Sequence, residues 1–449
     1  MTRTSRALGA TLLRQLRESR GWSWSELARA LCDTGAQLGV TAIALRQRSS
    51  VLRAIARWES ATASTGPGDR YQFLLAHLYA RTPAGQVALG LSSDLHILLD
   101  ALRAFGVPEA RIATLVELVS TSISLEGTDP LTLLSPATHA QVGAALRHPQ
   151  LLDGQLCRRL ADEVAGINGQ IGVVPFGRLQ VLLAPVVQAC RHLLHAGPSV
   201  AAGNELRTVA ATSFALAARL AFETRDDDAA IRLYEDATGT AGEHDDRRHR
   251  AEVGTSYTMV TLYATGDVKA AGEIARAAVA DAHASTSVAV RARAHAVHAE
   301  LCARAGHGDA AKAALERAWT TIGQPQVEVP AHGFNADRLN GFDGLCALHA
   351  GDAGHAHERL TSSLARLTQP RDAVQRGIVT ADLSLARLRL GEPAACAELL
   401  HDSVDIAART GGRVAALRVR HVRAALRPWR SEPFVLALDD HIHDQLIGA

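Results

Sequence analysis

Apolar residues recur at helical spacing along almost the whole chain, and the places where that spacing breaks divide it into elements. Leu12, Leu13, Leu16, Leu27, Ala28 and Leu31 fall at that spacing on either side of Gly21, which predicts two helices joined by a turn. Ser23 followed by Glu26 is a capping box that starts the second of them. A third helix is predicted in SSVLRAIARWES, residues 49–60, with Ser50 as its cap, Leu52, Ile55 and Trp58 turned inward, and Arg53, Ala54 and Arg57 facing out. Beyond it, ATASTGPGDR is a turn-rich segment. Tyr71, Leu74, Leu75 and Leu78 then stripe a further helix that ends at Thr82 to Gly85. From Ser92 to about Pro198 the helical spacing continues without a repeat, broken at Gly106-Val107-Pro108, Gly127 to Pro130, Ser135-Pro136 and Val173 to Phe176.

The C-terminal half repeats. Thr224-Arg225-Asp226, Thr265-Gly266-Asp267, Ala305-Gly306-His307, Ala350-Gly351-Asp352 and Leu390-Gly391-Glu392 are turns whose central residues lie 41, 40, 45 and 40 positions apart. Five residues after each centre stand Ala230, Ala271, Ala311, Ala356 and Cys396, small enough to let two helices approach. Nine residues after come Tyr234, Ala275, Leu315, Leu360 and Leu400, and at twelve Ala237, Ala278, Ala318, Ser363 and Ser403. Such units bury their apolar faces by stacking, which makes a curved solenoid with a concave groove. Val414 to Leu426 and Val435 to Ile447 are expected to supply its polar terminal cap.

The N-terminal segment resembles the Xre (Cro/C1-type) helix-turn-helix family. The residues that carry the resemblance are Arg17-Glu18-Ser19-Arg20-Gly21, Trp22-Ser23-Trp24-Ser25-Glu26-Leu27-Ala28 and Arg57-Trp58-Glu59. The resemblance implies a lambda-repressor-like fold whose second helix of the pair enters the major groove while the first crosses the phosphates. Carried over by position, Ser49, Ser50, Arg53 and Arg57 form the reading side. Arg53 and Arg57 lie four apart, on one helix face, and an Arg reaches both acceptors of guanine. The family pattern also implies that Arg17 pairs with Glu59 to brace the first helix against the third. Two departures stand out. Trp24 occupies a position where the family commonly has Gln, and Cys32 to Arg48 replaces a link of about three or four residues. That insertion could be an added helix with Arg46 and Arg48 near phosphate, or could hold the reading helix away from DNA.

The repeats resemble the tetratricopeptide repeat, with its small-large-small second helix after a Gly-Asp turn, although their period exceeds the standard 34 residues or so. The whole arrangement, down to Arg423-Ala424-Ala425-Leu426-Arg427-Pro428-Trp429, is similar to actinobacterial regulators with an Xre-type head and a tetratricopeptide body. In that register Arg219 and Phe222, Tyr263, then Arg293, Glu300 and Arg304, then Arg338 and His349 face the concave side. Clustered Arg there could hold a carboxylate or phosphate by paired hydrogen bonds, or could be solvated charges on amphipathic helices.

Charge supports the division. The 449 residues carry a net charge of +1, but residues 1–88 hold twelve Arg against five acidic side chains, a balance of +7. A basic head on an acidic body is the footprint of a chain whose head alone meets nucleic acid. The six cysteines are dispersed and are expected to be small buried residues. The pairs His295 and His298, His355 and His357, and His441 and His443 lack the further ligands of a metal site. No Walker loop, dinucleotide fingerprint, nucleophile elbow or H-E-x-x-H helix occurs. Arg3, Arg6, Arg14 and Arg17 interrupt any signal-like apolar run, and apolar windows are short.

The expectation is an all-α, cytoplasmic, non-enzymatic chain: a helix-turn-helix domain at 1–85 with an insertion at 32–48, a helical connector at 86–200 serving in dimerisation, a tetratricopeptide-like α-solenoid at 201–427 and a capping helix at 428–449. Its expected partners are a double-stranded DNA operator, a second copy in a homodimer, and a peptide, small-molecule or protein ligand in the repeat groove, with no metal, cofactor or membrane. The alternative is a repeat adaptor acting through protein contacts with a degenerate head.

Overall fold

The computed structural model describes residues 3–37, 48–60, 65–90, 93–124, 131, 134–197, 200–242, 246–324 and 333–447. Among these the chain is all-helical, with two isolated β-bridges and no strand. No described helix is long and apolar enough to cross a membrane. Contacts divide the chain into two compact units, Met1–Asp129 with Asp439–Ala449, and Pro130–Leu438. These boundaries fall elsewhere than 85/86, 200/201 and 427/428.

The first unit contains α1 (Arg3–Ser19), α2 (Trp24–Gln37), α3 (Arg48–Trp58), α4 (Asp69–Tyr79), α5 (Asp94–Ala104) and α6 (Glu109–Ser124). All six contribute to one core, from Leu13, Leu16, Leu27 and Leu31 through Ile55, Trp58 and Leu74 to Leu98, Leu102, Ile112 and Val119. The turn after α1 is a Schellman motif: Trp22 N–H reaches Arg17 O at 3.1 Å, Gly21 N–H reaches Glu18 O at 2.9 Å, and Gly21 takes φ +66°. Ser23 and Glu26 then exchange hydrogen bonds, Ser23 N–H to Glu26 Oε2 at 2.7 Å and Glu26 N–H to Ser23 Oγ at 3.3 Å, which satisfies two of the free donors at the start of α2.

Two local expectations for α3 are corrected. Ser50 sits inside the helix, which already includes Arg48, so it is not the cap. Ala54, expected outside, is buried with Val51, Ile55 and Trp58, while Leu52 is only half-buried. The i, i+3, i+4, i+7 stripe is centred one residue away from the one expected, which places the small Ala54 inside it.

The second unit begins with α7 (Pro136–Arg147), α8 (Gly154–Gly169) and α9 (Phe176–His195). Their Leu156, Leu160, Leu179, Leu183 and Val186 share a core with Leu206, Phe214 and Tyr234 of the first repeat. Five helix pairs follow: α10 (Val200–Glu223) with α11 (Asp227–Gly242), α12 (Arg247–Thr265) with α13 (Val268–His283), α14 (Val288–Arg304) with α15 (Gly308–Ile322), α16 (Ala336–Ala350) with α17 (Ala353–Arg366), and α18 (Ala373–Arg389) with α19 (Pro393–Thr410). Each helix packs most extensively on its pair mate, as in a solenoid.

The five repeated turns form these pairs by one device. Their central residues Arg225, Gly266, Gly306, Gly351 and Gly391 all take left-handed φ, from +65° to +86°. This reverses the chain after one helix and brings the next residue to the head of its mate. Asp226, Asp267 and Asp352 then cap that second helix, as when the Asp352 side chain accepts the His355 N–H at 2.9 Å. The small residues five positions on are buried at the crossing. The serines twelve positions on bond across it, Ser363 Oγ to Asp337 O at 2.7 Å and Ser403 Oγ to Gly377 O at 2.8 Å. Gly344 marks the closest approach, since a Cβ there would lie 2.5 Å from Leu360 Cγ.

The last helix of the array, α20 (Arg413–Ala425), departs from the expected polar cap. It buries Ala415, Ala416, Val419 and Val422, packs on α18 and α19, and also meets α10. Arg413 N–H donates to Glu223 Oε2 at 2.8 Å, and its guanidinium pairs with Asp227 and lies 4.4 Å over the Phe222 ring. The array therefore closes on its own first repeat.

Arg225 is the one non-glycine with positive φ among the described residues. A left-handed conformation costs a residue with a Cβ about 1–2 kcal/mol. Arg225→Gly is therefore expected to stabilise the protein by about 1 kcal/mol and Gly351→Ala to destabilise it by a similar amount. Urea unfolding of the two variants checks this, and shifts of the opposite sign would contradict the account of the turns.

Candidate functional site

In the first unit a buried carboxylate organises the reading-side candidates. Glu59, only 3% exposed, follows α3 and receives Arg17 Nε and Nη2 on its two oxygens at 2.8 Å each. Arg17 also donates to Trp22 O at 2.7 Å, and Arg14 to Glu59 O at 2.6 Å. Trp24, where the family commonly has Gln, donates its indole N–H to Glu59 Oε2 at 2.9 Å. The end of α1, the turn and the end of α3 thus share one charged centre. The hydrogen bond to Glu59 raises the Arg17 guanidinium above its ordinary value despite burial.

That centre leaves a basic face outward. Arg48, Ser49, Arg53 and Arg57 are exposed on α3, and Ser50, half-buried, accepts from Arg53 at 3.1 Å. Ser23, Trp24 and Ser25 at the N-terminus of α2 border a shallow open cleft of about 530 Å³ with Leu52, Arg53 and Ala56 of α3. The arrangement can offer a helix N-terminus and two guanidiniums four residues apart to an anionic surface. Arg46 lies outside the described residues, as does most of the insertion, residues 38–47.

In the second unit the residues expected to line the groove fall into two groups by their contacts. The first is Tyr263, Glu300 and Arg304. Arg304 donates to Glu300 Oε1 at 2.9 Å and to Tyr263 Oη at 3.0 Å, and the tyrosine hydroxyl donates to Glu300 at 3.4 Å. Arg418 of α20 completes this group, donating to Tyr263 Oη at 2.7 Å and to Asp382 Oδ1 at 2.6 Å. Burial pushes Asp382 up to about 6, with Arg418 opposing the shift. Burial alone would lower Arg418, but Asp382, Tyr263 and Glu300 hold it above its ordinary value. His349 is exposed beside this network, where partial burial and then Arg304 and Arg418 lower its imidazole to about 4. These charges are met by the chain itself.

The second group is Arg219, Arg293 and Arg338. Arg293 donates to Ser256 Oγ at 3.1 Å and Arg338 pairs with Asp372 at 2.8 Å. Burial and the charge of Arg219 lower the Arg293 guanidinium, Arg338 adding to the effect. Phe222, also assigned to the concave side, is buried under Arg413.

Sequence reasoning missed Arg418, Asp382, Asp372 and Ser256. A carboxylate at Asp382, inside the fully buried stretch Val379–Ala386 of α18, demands a cation, and that signal was readable. That the cation is Arg418 was not, because Val414 to Leu426 read as a terminal cap. The described residues contain no cluster of three or more His, Cys, Asp or Glu that could hold a metal ion.

No family model matches the chain, and no curated protein matches it. Among solved structures, the crystal structure of BtubC (BKLC) from P. vanneervenii matches at 15% identity with a TM-score of 0.38, over 57% of this chain and 93% of that one. A likeness that slight carries no argument about what this chain does.

Removing one partner of a buried ion pair leaves the other charge uncompensated, at about 3–5 kcal/mol. Arg418→Ala is expected to destabilise the second unit by that amount, whereas Arg420→Ala, at an exposed position of the same helix, changes stability by less than about 0.5 kcal/mol. Chemical denaturation distinguishes the two; equal small effects would mean that Arg418 does not hold the array closed.

Proposed function

We propose that the chain is a sequence-specific DNA-binding transcriptional regulator, with an Xre-type helix-turn-helix head and a tetratricopeptide-like body that receives a peptide, small-molecule or protein signal. The observation that carries the reading is the disposition of α3. Val51, Ala54, Ile55 and Trp58 fix it to the core, Glu59 ties its end to Arg17 and Trp24, and Arg53 and Arg57 remain exposed on its free side. Rigid support behind exposed guanidiniums is what base readout needs. The N-terminus of α2, beside Arg53 in the same cleft, suits a backbone phosphate. The excess of Arg in the first 88 residues supports the same partner. The +5, +9 and +12 positions, buried or half-buried after each left-handed turn, support a tetratricopeptide-like body.

In this mechanism two heads of a homodimer read two half-sites. Signal binding in the body acts by favouring one of two arrangements of the heads, which requires different affinity for the two. A second reading, a protein-binding adaptor, is favoured by Trp24, a residue 45% exposed that borders the cleft beside Leu52.

On the regulator reading, affinity for a cognate duplex falls steeply with salt, and Arg53→Ala and Arg57→Ala each cost about 1–3 kcal/mol of discrimination between sites. Fluorescence anisotropy across a salt series measures both. Salt-insensitive binding, or full affinity in the double variant, would move the assignment to the adaptor.

A further inference from the structure

The cleft between α2 and α3 has features that a phosphate contact does not use. Ser23, Trp24 and Ser25 border it from the start of α2, and Leu52, Arg53 and Ala56 from α3. Leu52 and Ala56 lie four apart on one face of α3, and with Trp24 they supply an apolar lining. Trp24 is held in place there, because its indole N–H donates to the buried Glu59 Oε2 at 2.9 Å. The carboxylates beside it are already engaged, Glu59 by Arg17 and Glu26 by the Ser23 N–H. Arg48, Arg53 and Arg57 are exposed on α3. The cleft is therefore a fixed apolar surface within a basic face.

Its occupant must bring a small apolar group close to groups that attract a guanidinium. A phosphate has no apolar part. A protein interface takes about 20–30 residues from each side, far more than border this cleft. Base edges in the major groove offer one apolar group, the C5-methyl of thymine, and it can stand beside the N7 and O6 acceptors of a guanine. We propose that Trp24, Leu52 and Ala56 receive a thymine methyl, which makes Trp24 a specificity-determining residue and sets that thymine next to the base read by Arg53. This rests on the reading of α3 as a DNA-reading helix, and adds to it a particular base and the side chains that recognise it.

The test takes the full-length protein and selects bound DNA from a library of random-sequence duplexes. In the selected duplexes each thymine is replaced in turn by uracil, which removes the methyl and leaves the base pairing unchanged. Binding is read by fluorescence anisotropy. We expect one thymine in each half-site at which uracil weakens binding about fourfold, equivalent to about 0.8 kcal/mol for one buried carbon. That position should adjoin the base pair at which Arg53→Ala loses its preference. Trp24→Gln, whose amide can still donate to Glu59, should bind the thymine and uracil duplexes alike. Trp24→Phe, which keeps an apolar ring, should keep the difference, and the scan on the wild-type protein stands even where a variant does not fold. A library that yields no enriched duplex would overturn the reading of the head itself and pass the cleft to the adaptor. Enriched duplexes in which no uracil weakens binding, or a penalty that persists in Trp24→Gln, would leave the head a DNA reader and overturn the thymine proposal alone.

Discussion

Buried carboxylates impose the constraint on which both units depend. Glu59, Glu223, Glu300 and Asp382 are each less than 10% exposed, and a carboxylate taken out of water must find donors or cease to be charged. In the first unit Glu59 is answered by Arg17 and by the indole of Trp24, which joins three helices at one point. In the second, Glu300 and Asp382 are answered by Arg418, and Glu223 by the backbone of Arg413, both from the last helix of the array. Apolar burial supplies most of the driving force for folding, but it is non-directional. These pairs are directional, and they select which helix ends meet.

The parts of the fold that depend on neighbouring residues were legible in the sequence. The five turns from Arg225 to Gly391 could be aligned because a left-handed residue, followed in three of them by a capping Asp, is a local requirement met within a few residues. The Ser23–Glu26 box is of the same kind, and Arg17 with Glu59 came from the family pattern. The parts that depend on distant residues were not legible. Nothing near Arg418 indicates that its partners are Tyr263 and Asp382, and the amphipathic stripe of α20 looks the same whether its other face meets water or the first repeat. Ala54 was placed outward because one methyl group weighs little in a pattern dominated by Leu52 and Trp58. The connector could not be assigned from periodicity alone, since α8 and α9 pack on α10, and α7 on α8 and α9, without repeating its spacing.

Closure changes how the interior of the array can act. A groove open along its length would offer every concave residue to a ligand. Here Arg304 bonds to Glu300 and Tyr263, Arg418 bonds to Tyr263 and Asp382, Arg293 donates to Ser256 and Arg338 pairs with Asp372. A signal that acts on this body would therefore work by altering the balance between the closed array and one in which α20 has left α10. That balance rests on a few buried ion pairs, strong when complete and costly when one partner is missing.

The central claim is that the exposed side of α3 reads particular DNA sequences. Genome-wide footprinting of the purified protein on genomic DNA from its own source organism, beside the Arg53→Ala/Arg57→Ala double variant, tests this most directly. The account predicts a small number of sharp sites, paired at a fixed half-site spacing and absent from the double variant. Enrichment no greater than background, or the same sites in both proteins, would contradict it.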